Sequence, residues 1–334
     1  MKNSAVTILD VAAAANVSPA TVSHTLNGKR PVSKETREHV LSVIEDLGYV
    51  PSWNASRLKT GKSGIIGCMA VDITETFVNH IVKGIEQGIA GAGYSLFFVS
   101  AIEFENDIDK AYDFLKSNQV DGMIFCHHIP FSNRMALKDT KREVPMVSIN
   151  MSTDNMVSVI PDNYTGGYQA AEHLYSCGMR NPAMICGPED RLSVIDRQSG
   201  FVKKLHELGM QGRVKDFHYG NYDYDHGYVA AKKIMDANPK TDGIFCANDY
   251  IAAGALTALR EKGIGVPSEV RVLGFDDRDF ASFWPTPIST FLQPLQEMGM
   301  LGFSLLQHLI TTGSVNHRQH ILQSKLIARK STIG

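Results

Sequence analysis

The chain has 334 residues, 43% of them hydrophobic, which is enough to form more than one globular domain with a sizeable core. The formal net charge is only -2, but the charge is divided unevenly along the chain. Residues 1–63 carry eight Lys and Arg against five Asp and Glu, a net +3, which leaves -5 on the remainder. A basic N-terminal segment on an otherwise acidic chain favours a nucleic-acid partner for that segment.

Export and membrane insertion are disfavoured by the sequence. Asp10 interrupts the apolar stretch near the N-terminus, and no later apolar run reaches the roughly 20 residues that a membrane-spanning helix needs. The five cysteines form no C-x-x-C pair and mostly lie in apolar runs, which is typical of buried thiols in a reducing cytosol. We therefore expect a cytoplasmic protein without a membrane partner.

Enzymatic chemistry is also disfavoured. The sequence has no Walker loop, dinucleotide fingerprint or recurring Ser/His/Asp pattern. His127 and His128 are adjacent, so on a strand they point to opposite faces, and the pair His317 and His320 is more typical of solvent-facing residues than of metal ligands. We expect no catalytic residue, no cofactor and no metal site.

Short helices with clear start signals make up residues 1–50. Thr7 followed by Asp10 is a capping-box pattern, and apolar residues follow at helical spacing. Ser18 with Pro19 starts a second helix, and Ser33 starts a third. Three short helices joined by a tight turn predict a helix-turn-helix bundle.

From Ile65 onward, apolar strand-like runs alternate with amphipathic helical stretches. Continuous apolar strands separated by helices predict parallel sheets covered on both faces. Because the elements exceed one comfortable sheet, we predict an all-α head followed by an α/β body of two doubly wound lobes with a cleft between them. The predicted strands are 65–70, 94–100, 122–126, 145–149, 183–186, 243–246 and 270–275, and the predicted helices are 78–90, 108–116, 166–175, 200–208, 228–235 and 251–262.

Residues 51–63 read as a basic linker between head and body. The segment is polar apart from Trp53, Ala55 and Leu58, a composition typical of a linker without regular structure. Residues 54–59 could also form one and a half helical turns from which Leu58 projects.

Several spaced motifs, in a fixed order, resemble the LacI/GalR family of bacterial transcription regulators over the whole chain. They are TILDVAAAANVSPATVSHTLNG, VSKETREHVLSVIEDLGYVPS, ASRLKTGKSG, DNYTGGYQAAEHL, DRQSGF, ANDYIAAGAL, GIGVPSEVRVLGFDD and PTPISTFLQP. The resemblance implies a body like the type I periplasmic binding proteins. It divides the chain into a head (1–50), a hinge helix (51–63) and a body (64–334), with an N-lobe of 64–161 and 292–321 and a C-lobe of 162–291 and 322–334.

The resemblance also implies DNA contacts. In a helix-turn-helix, early residues of the second helix enter the major groove. Family positions at base edges match Pro19, Ala20 and His24, with Ser18, Thr21, Ser23 and Asn27 near phosphates or the groove wall. Hydroxyls at phosphates match Thr7, Ser33, Thr36 and Tyr49. In the linker, Leu58 matches a side chain that wedges into a minor-groove step, with Arg57 beside it.

For the effector cleft, the resemblance implies a ligand between the lobes at the carboxyl ends of the strands. Arg197 and Asp276 match residues that bond ligand hydroxyls or anionic groups. The remaining lining would be Phe77, Asn150, Arg191, Ser193, Tyr222, Asn248, Asp249 and Gln293. Asp249 and Asp277 are equally well explained as helix caps, and Arg191 as a surface loop residue.

Two departures from the family pattern leave the effector open. Asn150-Met151 stands where many sugar-responsive members carry Asp-Arg, and Phe77-Val78 stands where many carry two aromatics. A sugar, a sugar phosphate or a purine all remain candidates.

The expected function is a sequence-specific transcription regulator, a repressor on balance, that binds palindromic operators as a homodimer under control of that small molecule. The helix around 81–89 is a candidate dimer surface, although its apolar face could equally be intramolecular. The alternative is an exported or cytoplasmic solute-binding protein without a specific DNA function.

Overall fold

The computed structural model describes residues 6–27, 30–49, 62–70, 76–104, 107–126, 143–152, 156–210 and 217–334. The chain forms two compact units, Met1–Ser63 and Gly64–Gly334. The first unit contains the predicted head and hinge, and the second is the predicted body. Most of the linker, with Arg57 and Leu58, lies outside the described residues, as does the side chain of Asn27.

The head contains the three predicted helices, α1 (Ile8–Ala14), α2 (Pro19–Asn27) and α3 (Lys34–Asp46). Each begins where its capping residue predicts, because a side-chain oxygen accepts a backbone N–H that the helix leaves unpaired. Val11, Val22 and Val40, one from each helix, are fully buried together and form the centre of a small core.

Within its described residues the body has twelve strands and seven α-helices. The strands are β1 (Ile65–Ala70), β2 (Ser95–Ser100), β3 (Gly122–Phe125), β4 (Met146–Ile149), β5 (Val157–Pro161), β6 (Pro182–Ile185), β7 (Phe217–His218), β8 (Gly243–Cys246), β9 (Arg271–Leu273), β10 (Thr290–Leu292), β11 (Gln319–Leu322) and β12 (Lys325–Ile327). The helices are α4 (Thr76–Ile89), α5 (Ile108–Ser117), α6 (Asn163–Ser176), α7 (Leu192–Glu207), α8 (Tyr224–Ala237), α9 (Asp249–Glu261) and α10 (Leu295–Thr312).

Two sheets organise the body into the two predicted lobes. The N-lobe sheet has the order β11-β5-β4-β3-β1-β2, and the C-lobe sheet has the order β7-β6-β8-β9; every pair within them is parallel. β10 and β12 form a separate antiparallel pair, tied to the end of β9 by isolated bridges. The prediction of two doubly wound parallel-sheet lobes is therefore confirmed.

The chain passes between the lobes three times, at residue 162 and at two stretches called the second crossover (293–294) and the third crossover (323–324). The second crossover leads into α10, whose Leu295, Met298 and Phe303 are buried in the N-lobe core. The N-lobe sheet continues through Leu322, one residue beyond the predicted lobe boundary, where it pairs with Pro161.

Candidate functional site

The start of α2 is presented at the surface of the head. Ser18, Pro19 and Ala20 are exposed, and His24, one turn further on, is partly exposed. Ser18 Oγ accepts a hydrogen bond from Thr21 N at 3.0 Å, which fixes the first turn. The predicted base-reading positions therefore lie together on an ordered, accessible helix end.

Several predicted phosphate contacts are also helix caps. Thr7 Oγ1 and the Asp10 carboxylate form the reciprocal capping box of α1, and these bonds lower the pKa of Asp10. Ser33 Oγ accepts from Thr36 N at 3.2 Å at the start of α3. Helix N-termini present unpaired N–H groups and a partial positive charge, so both ends suit a phosphate. Tyr49 is only 8% exposed and packs in the head core.

Arg197 lies at the centre of a buried polar cluster in the C-lobe, where it is 4% exposed. Its Nε donates to Asn163 Oδ1 at 2.9 Å, and its Nη1 donates to the carbonyl oxygen of Ala247. Its Nη2 lies 3.9 Å from Asp276 Oδ1. The guanidinium carbon lies 3.6 Å from the centre of the Phe275 ring, a cation–π contact. The charge is thus fixed in one orientation by contacts from three segments of the lobe, the start of α6 and the residues after β8 and β9.

Close packing of α6 against α7 brings Asn163 and Arg197 together. A Cβ on Gly167 would lie 1.9 Å from the carbonyl oxygen of Arg197, and one on Gly200 would lie 2.0 Å from that of Tyr164. Only glycine permits this approach, because an added methyl would collide with backbone that cannot move aside.

Asp276 follows β9 and supplies the acid of the cluster. Its Oδ1 accepts from Gln293 Nε2 at 2.6 Å, and its Oδ2 lies 3.6 Å from Arg278 Nε. The neighbouring Asp277 is paired with Arg329 at 2.7 Å and caps no helix, so the capping explanation for Asp277 is wrong. Asp276 is therefore the carboxylate that stands against Arg197.

Asn248, and not Asp249, caps α9. Asn248 Oδ1 accepts from Ile251 N at 2.9 Å, so the capping explanation for Asp249 is also wrong. Asp249 is fully buried, and its Oδ2 accepts from Arg278 N at 2.7 Å. Burial, reinforced by the nearby Asp276 and Asp277 carboxylates, raises the pKa of Asp249 well above its usual range. Asp249 therefore stabilises the turn after β9 through its bond to the backbone of Arg278.

Tyr222 contacts two other predicted lining residues, Ser193 and Asn248. Its hydroxyl lies 3.1 Å from Ser193 Oγ, and its carbonyl accepts from Asn248 Nδ2 at 3.2 Å. Its ring lies over Gly187, where a Cβ would approach to 2.4 Å. Burial raises the pKa of Tyr222 and lowers that of Arg191, which stands at the N-cap position of α7. Arg191 is therefore a partly buried residue at a helix start and not a surface loop residue.

The two N-lobe candidates stand apart from this cluster. Phe77 lies in the first turn of α4, and Asn150 follows β4 with a left-handed φ of 64° and its N–H bonded to the Val159 carbonyl. Among the described residues, no hydrogen bond or ring contact joins either of them to Arg197 or Asp276.

Three residues of the cluster were not predicted from the sequence: Asn163, Phe275 and Arg278. Asn163 and Phe275 lie inside the motifs DNYTGGYQAAEHL and GIGVPSEVRVLGFDD. Their contacts with Arg197 could not be predicted, because neither a single asparagine nor one apolar residue of a predicted strand forms a sequence pattern that indicates a binding role.

The described ranges contain neither a candidate membrane span nor a candidate metal site. No helix there is long and apolar enough to cross a membrane, and no group of three or more His, Cys, Asp or Glu is placed to hold a metal ion. His320 Nε2 lies 3.1 Å from the His317 carbonyl oxygen, while His127 and His128 lie outside the described residues.

Comparison with known families assigns both units. Residues 7–52 match the model of bacterial regulatory proteins of the lacI family. Residues 63–330 match the model of periplasmic binding proteins and the sugar binding domain of the LacI family.

Relatives align over almost the whole chain and are transcription regulators, not enzymes. The transcriptional repressor PurR of Haemophilus influenzae is 30% identical over 329 residues, covering 97% of this chain and 98% of the relative. The transcriptional regulator RegA of Clostridium saccharobutylicum is 32% identical over 337 residues, covering 98% and 100%.

Solved structures agree. The Lac repressor dimer bound to operator and the anti-inducer ONPF has a TM-score of 0.89 at 26% identity, covering 99% of this chain and 100% of the other. A complex of the transcriptional regulator CelR with cellobiose has a TM-score of 0.71 at 29% identity, covering 98% and 99%. The chain belongs to the LacI family of DNA-binding transcription regulators.

Proposed function

We propose that this protein is a cytoplasmic, non-catalytic repressor that binds a palindromic operator as a homodimer and is controlled by a small molecule held by the C-lobe cluster. The ion pair of Arg197 and Asp276, whose side chains are only 5% and 9% exposed, carries this proposal. Charges lie at this depth only when they are paired or serve a ligand. Asp276 follows β9, and the guanidinium of Arg197 reaches from α7 to Ala247 after β8, so both charges lie at the carboxyl ends of parallel strands, where open α/β sheets bind ligands. A solute-binding protein without DNA function would have no use for the LacI head.

In the proposed complex, the exposed start of α2 enters the major groove. His24 can bond to a purine edge, whereas Pro19 and Ala20 offer only apolar contact, for instance to a thymine methyl. The capped starts of α1 and α3 face phosphates, which fix register without specifying sequence. Roles near the backbone are proposed for Ser18, Thr21, Ser23, Asn27, Thr7, Ser33, Thr36 and Tyr49, and minor-groove roles for Arg57 and Leu58.

The effector chemistry follows from the cluster. A guanidinium, a carboxylate and the Tyr222 ring with Ser193 beside it suit a ligand with ring faces and several hydroxyl or amide groups. Cellobiose, bound by the relative CelR, is one ligand of this kind. Sugars, sugar phosphates and purines therefore form the panel, with Arg191, Asn248, Asp249, Phe77, Asn150 and Gln293 as further candidate lining.

The experiment is selection of palindromic sites from random DNA by the full-length protein, followed by binding titrations across a salt series with and without that panel. We expect one palindrome with a central pyrimidine–purine step whose affinity one compound changes. Weak, steeply salt-dependent binding to every sequence would contradict the proposal.

The apolar face of α4, the helix predicted as a candidate dimer surface, is used inside the N-lobe. Val78, Ile81, Val82 and Ile85 of α4 are buried within the N-lobe core, so the apolar face of this helix is intramolecular.

An exposed aromatic group in the C-lobe is a better candidate for the dimer surface. Phe283 is 72% exposed, the most exposed large hydrophobic residue in the described part of the chain. It adjoins a series of ring contacts, Tyr250 to Phe280 at 5.0 Å, Phe280 to Trp284 at 5.6 Å and Trp284 to Tyr224 at 6.4 Å. Large exposed aromatics are typical anchors of protein interfaces, and a second copy is the partner that a palindrome requires.

The dimer is tested by sedimentation of Phe283→Lys. Because the substitution places a charge in a desolvated contact, we expect the dimer to dissociate at least about tenfold more readily. Ile333→Lys, at another exposed C-lobe position, serves as the control and should sediment as wild type. An unchanged Phe283→Lys dimer would place the interface elsewhere.

A further inference from the structure

Gln293 in the second crossover is almost completely buried, with 5% of its surface exposed. Its amide nitrogen donates to Asp276 Oδ1 at 2.6 Å. This orientation is fixed by charge, because turning the amide would set its carbonyl oxygen against the carboxylate. Gln293 Oε1 is buried and has no hydrogen-bond partner among the described residues. The side chain of Gln293 is thus held by one hydrogen bond, to the Asp276 carboxylate of the candidate effector site.

The backbone joins the same two segments. Asp276 N donates to the Phe291 carbonyl at 2.9 Å, and Asp276 bridges Leu292. Asp276 has a φ of 109°, a conformation that residues other than glycine rarely adopt, so surrounding bonds must hold it there. The turn that carries the carboxylate is therefore shaped by the strand that leads into the crossover.

On its other side, Gln293 adjoins the N-lobe. Its carbonyl accepts from Leu295 N at 2.9 Å, and Leu295 is the first residue of α10 and is buried in the N-lobe core. Gln293 thus connects the Asp276 carboxylate of the C-lobe with the first turn of α10 in the N-lobe.

The bond to Gln293 occupies Oδ1, one of the two oxygens of the Asp276 carboxylate in the candidate effector site. Arg197 Nη2 lies 3.9 Å from Oδ1, too far for a hydrogen bond, whereas the Gln293 amide nitrogen lies 2.6 Å from it. A hydroxyl or N–H donor of an effector aimed at Oδ1 must compete with that amide.

We propose that the bond between Gln293 and Asp276 is a latch that holds the second crossover in the effector-free protein, and that an effector acts by taking Oδ1 from it. The inference rests on the proposed function and names the positioning residue through which the site reaches the N-lobe. Breaking the latch loosens the lobe arrangement and weakens operator binding even without an effector.

A double-mutant cycle on operator affinity tests the latch without a known effector. Gln293→Met keeps the size of the side chain and removes the donor, Asp276→Ala removes the acceptor, and the double variant removes both. Each single variant should weaken binding of the selected palindrome at least about fivefold, and the double variant should stay within about twofold of the weaker single variant. The control is Gln323→Met, an exposed glutamine of the third crossover, which should bind as wild type.

Independent effects that multiply to about 25-fold in the double variant, or a Gln293→Met protein that binds as wild type, would overturn the latch. Gln293→Glu keeps the shape of the side chain but sets a second acceptor against the Asp276 carboxylate, so it should weaken operator binding more than Gln293→Met does, which a general loss of packing would not give. If Asp276→Ala fails to fold, Gln293→Met and Gln293→Glu still decide the question. A wild-type protein that selects no palindrome instead contradicts the proposed function.

Discussion

The head and the C-lobe cluster solve different physical problems with the same kinds of polar residue. In the head, Thr7, Ser18 and Ser33 each bond to a residue three positions along the chain and remain exposed. In the cluster, the side chains of Arg197 and Asp276 are only 5% and 9% exposed and bond to residues 17 to 50 positions away. Function in the head should therefore be separable from folding stability, whereas in the cluster the two should change together.

The largest expected effect is that of Arg197→Met. Removing the guanidinium leaves Asn163 Oδ1 and the Ala247 carbonyl without their donor and takes one of two cations from Asp276, so we expect the free energy of unfolding to fall by about 3–5 kcal/mol. Urea unfolding followed by circular dichroism measures it. Lys203→Met on the same helix removes an exposed charge and should change stability by less than about 0.5 kcal/mol. A loss below about 1 kcal/mol at Arg197 would break the distinction between the two regions.

An intermediate effect, on binding alone, is expected for His24→Ala in the head. Loss of a base contact should weaken the selected operator by about 1–3 kcal/mol while the unfolding midpoint is unchanged. Gel-shift titration of the operator and of a scrambled duplex measures it, with the exposed His39→Ala on α3 as control. An equal loss on both duplexes would reassign His24 to a phosphate.

The smallest effect concerns the pH dependence of stability. Because the pKa of Asp249 is raised, the folded protein keeps a proton that the unfolded chain has released above its usual pKa of 3.8. The unfolding free energy therefore falls as pH rises from that value through the raised pKa.

Asp249→Asn cannot ionise, so its stability should fall less over this pH range than that of the wild type. Denaturant unfolding at several pH values measures both slopes. Parallel curves would mean that the Asp249 carboxyl is ionised in both the folded and unfolded states over this range.

The predictions from the sequence succeeded where local pattern decides structure. Capping residues placed the head helices, and continuous apolar runs placed the strands β1, β2, β3, β4, β6, β8 and β9. They failed at α7, which begins at Leu192, eight residues before the predicted start. Its first turns carry the partly buried Asp196 and the buried Arg197, polar residues that interrupt the apolar period of a helix. The strands β5, β7, β10, β11 and β12 were not predicted. Of these, β7, β10 and β12 span only two or three residues, too few to show a period.

By itself, the sequence determined the three-helix head, the two-lobed body and the regulator family, because caps, periodicity and ordered motifs act over a few neighbouring residues. Only the tertiary structure decided that Asn248 and not Asp249 caps α9, that Asn163 and Phe275 hold Arg197, and that Gln293 bonds to Asp276. Those partners lie far apart in the chain. Which of several possible polar partners a buried charge meets depends on how close two backbones come, and glycines such as Gly167 and Gly200 set that distance for Arg197.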